Sequence, residues 1–202
     1  MKYAIRSLAK AVIITLALSL SAHAELSDMP SGAYALDKSH GYITFSYNHL
    51  GFSTPHVGFR NFDVELDLDS ANIENSNVTV LIDATSIDSR VEEFNGHLSG
   101  DNFFDTANHP EITFVSTEIK STGDDTFDII GDLTIRGTTL QAVLNATLLK
   151  AANHPMRKVP TIGATARTAV NRSDFGMTRG LPMISDEVTI DISVELPQKT
   201  GD

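Results

Sequence analysis

The chain has 202 residues with no Cys and no Trp, and its 26 acidic side chains against 15 basic ones give a formal charge of −11. So acidic a surface repels nucleic acid and anionic bilayers alike. The absence of Cys excludes a disulfide framework, a thiol nucleophile and a lipoprotein acylation site, so a hydrophobic core must hold the fold.

Lys2, Arg6 and Lys10, the apolar run Ala11 to Leu20 and the Ala22-His23-Ala24 site together compose a secretory signal peptide, with cleavage expected after Ala24. The apolar run is too short to span a bilayer. Losing residues 1–24 removes three basic side chains and no acidic one, which takes the formal charge from −11 to −14. Residues 25–202 are then expected to form one domain with its own core, in passing contact with lipid and without stable membrane insertion.

Residues 25–33 read as a leader loop that delivers Tyr34 to Asp37 to a first sheet edge. From Tyr42 to Leu50, Ile43, Phe45, Tyr47 and His49 alternate with Thr44, Ser46 and Asn48, the period of a strand. Gly51 to Gly58 reads as a loop. Phe59 to Asp69 is the second predicted strand, and in it Phe62, Val64, Leu66 and Leu68 alternate with Asp63, Glu65, Asp67 and Asp69. Four unpaired carboxylates cannot be desolvated, so one side is wet and the other dry, the pattern of an antiparallel sheet. Val78, Val80, Ile82 and Ala84 mark a third strand.

The spacing of Ile87, Val91, Phe94 and Leu98 predicts one amphipathic helix, with Ser86 or Asp88 as N-cap and Gly100 as terminator. Five strands follow. The first three carry Ile112, Phe114 and Ser116; Phe127, Ile129, Gly131, Leu133 and Ile135; and Leu140, Ala142, Leu144, Ala146 and Leu148 on their inner faces. The last two run from Ile162 to Asn171 and from Val188 to Leu196. Hairpin-sized turns lie at Gly123-Asp124-Asp125 and Arg136-Gly137-Thr138.

The fold class is therefore all-β, with eight long antiparallel strands and one covering α-helix. Strands of this length favour an extended closed barrel that holds a ligand over the alternative of a β-sandwich. An outer-membrane barrel is excluded, because the outward faces are Asp, Glu, Thr, Ser and Asn.

Seven His are scattered with no H-x-x-x-H or H-x-H pair, and neither G-x-S-x-G nor a P-loop pattern occurs. Neither a metal site nor a catalytic constellation is expected, which points to a binding protein and not an enzyme. Ten Phe fall largely on dry faces, and the small residues Gly131, Ala142, Ala146, Ala164 and Ala166 are expected to leave room inside. The candidate ligand face comprises Phe45, Tyr47, His49, Phe62, Val64, Leu66, Val80 and Ile82 from the early strands. Phe94, Leu98 and Phe103 from the helix and its exit join Phe114, Ile135 and Leu144 to complete it.

Several blocks carry a family resemblance. Asp37-Lys38-Ser39-His40 leads to Ile43-Thr44-Phe45, then Asn48-His49-Leu50-Gly51-Phe52-Ser53 and Gly58-Phe59-Arg60-Asn61-Phe62. His97-Leu98 with Asp101-Asn102-Phe103-Phe104-Asp105 precedes Pro110-Glu111-Ile112-Thr113-Phe114, and Gly131-Asp132-Leu133-Thr134-Ile135-Arg136-Gly137 and Asn171-Arg172-Ser173-Asp174-Phe175-Gly176 complete the set. In order and spacing these resemble the YceI-like family of polyisoprenoid-binding proteins over about residues 33–196. Tyr34 stands where the family often has Trp, and Ser39-His40-Gly41 departs from its usual His-Ser order. The resemblance implies a lipocalin-like barrel exported to the periplasm, with no cofactor, that encloses the tail of an isoprenoid quinone, a polyprenyl lipid or another long-chain amphiphile. A stress-induced binder of fatty acids or amides and a quinone-linked redox accessory protein are the alternatives. Pairing of two barrels into a homodimer stays open on the sequence.

Overall fold

The computed structural model describes residues 26–199, so the predicted signal segment 1–24 lies outside the described residues. Eleven strands form one antiparallel sheet: β1 (Gly32–Ala35), β2 (Tyr42–Ser46), β3 (His56–Phe59), β4 (Phe62–Leu68), β5 (Asn77–Asp83), β6 (Ile87–Asp88), β7 (Glu111–Ser121), β8 (Thr126–Ile135), β9 (Thr138–Asn153), β10 (Pro160–Asn171) and β11 (Glu187–Pro197). Their order is β1-β4-β5-β7-β8-β9-β10-β11-β2-β3-β6. One α-helix, α1 (Glu92–Ser99), occurs among the described residues. No helix among them is long and apolar enough to cross a membrane.

The alternation read in β4 is realised residue by residue: Phe62, Val64, Leu66 and Leu68 are buried, and Asp63, Glu65 and Asp67 are exposed. Lysines answer part of the acidic face, with Lys38 Nζ 3.1 Å from Asp63 and Lys199 Nζ 2.6 Å from Glu65. Asp69 is turned to another use. It accepts from the backbone N–H groups of Ala71 and Asn72, and from Asn75 Nδ2, and so builds the turn into β5.

Three strands exceed the predicted eight. The expected second strand is broken at Arg60 and Asn61, because Arg60 N donates to the Ser86 carbonyl at 3.1 Å and Asn61 N to Ser86 Oγ at 3.0 Å. The piece before that break, β3, begins inside the predicted loop and pairs with β2. The expected first strand stops at Ser46. β1 was read only as a sheet edge; it pairs with β4 from Gly32↔Leu68 to Ala35↔Glu65.

The helix is shorter than its periodicity predicts. Ile87 pairs with Phe59 in β6, and Arg90 takes a left-handed φ of 67°, which no helix continues through. Helix α1 therefore starts at Glu92, and its N-cap residue, Val91, makes no side-chain cap. Instead Asn95 Oδ1 accepts from Ser89 N and Ser89 Oγ, at 2.7 and 2.6 Å, and ties the helix to the strand before it.

The sheet curls so that its first and last strands meet. Tyr34 bridges Gln198, Lys199 N donates to the Ala33 carbonyl at 2.8 Å, and Asp37 N donates to the Glu195 carbonyl at 2.9 Å. Beside this seam Asp37 takes hydrogen bonds from Ser39 N and Arg157 Nη2, and its Oδ2 lies 3.0 Å from His40 Nδ1. These partners, His40 foremost, hold its carboxyl well below the usual carboxylate range.

Small inner residues turn out to be places of close packing. A Cβ on Gly131 would collide with the Val115 carbonyl oxygen and stand 2.6 Å from Phe114 Cζ, so the absent side chain is the space into which the Phe114 ring lies. The adjoining bulge in β7, between Ser116 and Glu118, accommodates the same crowding.

Gly131→Ala is expected to cost about 1–3 kcal/mol in urea unfolding, with an unchanged m-value. A loss below about 0.5 kcal/mol would show that β7 yields freely at this point. Asp37→Asn is expected to lower the melting temperature at pH 7. The native carboxylate's depressed pKa contributes stability that is present above the unfolded value of about 4 and lost as pH falls below it. The two melting curves should therefore converge in acid; a constant gap down to pH 2 would contradict the assignment.

Candidate functional site

The interior is filled at one end and open at the other. Met29, Tyr34, Leu66, Leu68, Leu148, Ile162, Val194 and Leu196 close the filled end, with Tyr34 0% exposed and its hydroxyl donating to the Pro30 carbonyl at 2.7 Å. Toward the other end lies a cavity of about 420 Å³, within the range of small-molecule sites. Its wall is almost wholly apolar. The rings of Phe45, Phe59 and Phe104 meet there at centroid distances of 5.6 to 5.8 Å, a tilted cluster that fixes one side.

Eleven of the fourteen predicted ligand-face residues line this cavity. Phe45, Val80, Ile82, Phe114, Ile135 and Leu144 come from strands; Tyr47, His49, Phe94, Leu98 and Phe103 come from loops and from α1, which covers the cavity with Phe94 and Leu98. Phe62, Val64 and Leu66 do not line it. They do face inward, as the alternation requires, but Leu66 sits at the filled end beside Tyr34, and Leu36 donates its N–H to the Val64 carbonyl. Phe62 lies under Leu36 and Gly41. The small residues Gly131, Ala142, Ala146, Ala164 and Ala166 do not line the cavity either, so its room comes from the spacing of large side chains near the loops.

Those loops are bound to one another. His49 N donates to the Ser53 carbonyl, His49 bridges Ile184, and Leu50 N donates to the Met183 carbonyl at 3.2 Å. Arg136, at the β8–β9 turn, donates to the carbonyls of Gly176 and Asp101, both at 3.0 Å. His56 is exposed and also lines the cavity, which marks an opening. On the two loops joined there, Leu50, Met183 and Phe52, the last 89% exposed, stand in solvent.

Among the lining residues that lie outside the predicted ligand face, Phe59 and Phe104 included, the one permanently charged side chain is Arg172. It follows β10 directly, lines the cavity and is 6% exposed. Its Nε donates to the Ser185 carbonyl at 2.9 Å, Nη1 to Met177 at 2.6 Å and Nη2 to Ile184 at 3.2 Å. Burial lowers its pKa from the ordinary arginine value. Tyr47 also lines the cavity; burial raises its hydroxyl pKa, and the charge of Arg172 works in the opposite direction. The signal available was the Asn171-Arg172-Ser173-Asp174-Phe175-Gly176 block, in which a charged residue directly continues an inner strand.

One group of possible metal ligands lies away from the cavity. Asp37, His40 and Glu195 bring donor atoms within 4.8 Å of one another, but Arg157 already bonds Asp37 and lies 3.7 Å from Glu195. Arg157 already supplies a positive charge to that group.

Comparison with known proteins matches residues 34–196 to the YceI-like domain. A UPF0312 protein of Azotobacter vinelandii is 37% identical over 80% of this chain and 85% of its own length, and one of Pseudomonas putida is 36% identical over 80% and 84%. Among solved structures, Burkholderia cenocepacia BcnA superposes with a TM-score of 0.72 at 21% identity, covering 79% of this chain and 98% of that one. A Campylobacter jejuni YCEI protein gives 0.68 at 26%, with 76% and 90% covered. A polyisoprenoid binding domain from Saccharophagus degradans, implicated in plant cell wall breakdown, gives 0.62 at 14%, with 84% and 100% covered.

Proposed function

The chain belongs to the YceI-like family, and from that premise we propose that it is a periplasmic binding protein that encloses the apolar chain of an isoprenoid-type amphiphile. The observation that carries this reading is the apolar cavity of about 420 Å³ inside a sheet whose strand β4 turns an acidic face to solvent. A solvated hydrophobic hollow of this kind is costly to leave wet, and a hydrocarbon chain is the ligand it suits. The structural likeness to a polyisoprenoid binding domain supports the same class of ligand.

The curled sheet is read here as a lipocalin-like barrel. Support comes from β1, which pairs with β4 on one edge and meets the end of β11 on the other. Tail burial supplies affinity in such a site. Each buried CH2 contributes about 0.8 kcal/mol, so a five-carbon unit contributes on the order of 4 kcal/mol at most, and a few units offset the cost of association. The activity is binding and release, without a chemical step. Export is supported by the basic, apolar and Ala-x-Ala pattern of residues 1–24, and sequencing of the mature protein should then begin at Glu25.

Ile190 tests the site directly. It lines the cavity and is only partly buried, so there is open space beside it, whereas Leu66 is buried at the filled end. Ile190→Trp should fold and lose bound lipid. Leu66→Trp should lose about 1–3 kcal/mol of stability and, where folded, keep its lipid. A folded Ile190→Trp protein with undiminished lipid binding would exclude this cavity as the site.

A further inference from the structure

We propose that Arg172 recognises an anionic oxygen headgroup, a carboxylate or a phosphate, on the chain that fills the cavity. This rests on the reading of the cavity as a lipid site and adds the chemistry of the ligand's head.

A guanidinium has five N–H groups, and three of those on Arg172 go to the backbone carbonyls of Ser185, Met177 and Ile184. One N–H remains on each terminal nitrogen, a pair that suits the two oxygens of a carboxylate or phosphate. The side chain is 94% buried by its 6% exposure and lines the cavity, so bulk water is a poor substitute for a partner.

Carbonyls accept hydrogen bonds but cancel no charge, and a buried cation without a counterion is costly. Three exposed arginines have carboxylates: Arg60 pairs with Asp88, Arg157 with Asp37 and Arg167 with Asp191. Arg172, the buried one, takes part in none of the ion pairs found among the described residues. Asp186 attracts it without direct contact, its two oxygens accepting from Ser173 N at 2.8 Å and Ser173 Oγ at 2.6 Å, so the free N–H pair of the guanidinium is not spent on that carboxylate. The ligand supplies the directly bonded anion that Asp186 does not. Tyr47 stands on the same cavity wall within the field of Arg172 and offers a further O–H donor to that head.

The three carbonyl bonds also fix the arginine without help from a ligand. They join the turn after β10 to residues 184–185 ahead of β11, so the fork is held before any ligand arrives. This arrangement avoids ordering a long side chain at the moment of binding.

The test compares heads on one tail. Delipidated full-length mature protein is titrated with hexadecanoate against hexadecanol, and with farnesyl monophosphate against farnesol. In at least one pair the anion should bind about tenfold tighter or more, and the pair that does so identifies carboxylate or phosphate as the head. In Arg172→Gln that preference should collapse while the alcohols still bind; Arg172→Lys, which keeps the charge and loses the fork, should fall between. Equal binding of anion and alcohol by the unmodified protein in both pairs overturns the proposal and leaves the cavity reading standing. A preference that survives in folded Arg172→Gln overturns it too. If none of the four probes binds, the cavity reading itself fails and the headgroup assignment falls with it. Should Arg172→Gln not fold, the comparison on the unmodified protein decides alone.

Discussion

A sheet with one dry face and one solvated face, acidic along β4, has to bury the first without burying the second, and everything else in this chain follows from that. No second sheet is present among the described residues, and α1 is eight residues long, too small a cover for eleven strands. Curling is what remains. The dry face then becomes an interior, and Lys199, Gln198 and Asp37 stitch the two ends of the chain together where the first strand meets the last.

Curling does not by itself make a solid core. At the end closed by Tyr34 and Leu66, side chains meet and the interior is full. Toward the loops the strands carry large apolar residues that cannot reach across, and α1 covers the gap with Phe94 and Leu98 instead of filling it. The cavity is thus the unfilled part of an interior whose size is set by backbone geometry.

Period-two alternation made most of the strands legible, because a residue's side of the sheet depends only on parity. Depth along the curled sheet does not, which is why Leu66 and Leu144 read alike in sequence although only Leu144 touches the cavity. The helix start was misread for a related reason. Ile87 fits a helical spacing, but its partner Phe59 lies 28 positions away, and no local pattern reports that pairing. Arg172 escaped notice because its role comes from burial among three carbonyls, and those carbonyls belong to residues later in the chain.

An apolar hollow with a fixed guanidinium in its wall suits the proposed ligand, an amphiphile held by tail and head together. Native mass spectrometry of the protein purified from its own host measures this most directly. The account predicts a population carrying one noncovalently bound amphiphile, with a mass that a long hydrocarbon chain and an acidic head together explain. A protein that flies only at its bare polypeptide mass, and stays so after incubation with host lipid extract, would contradict it.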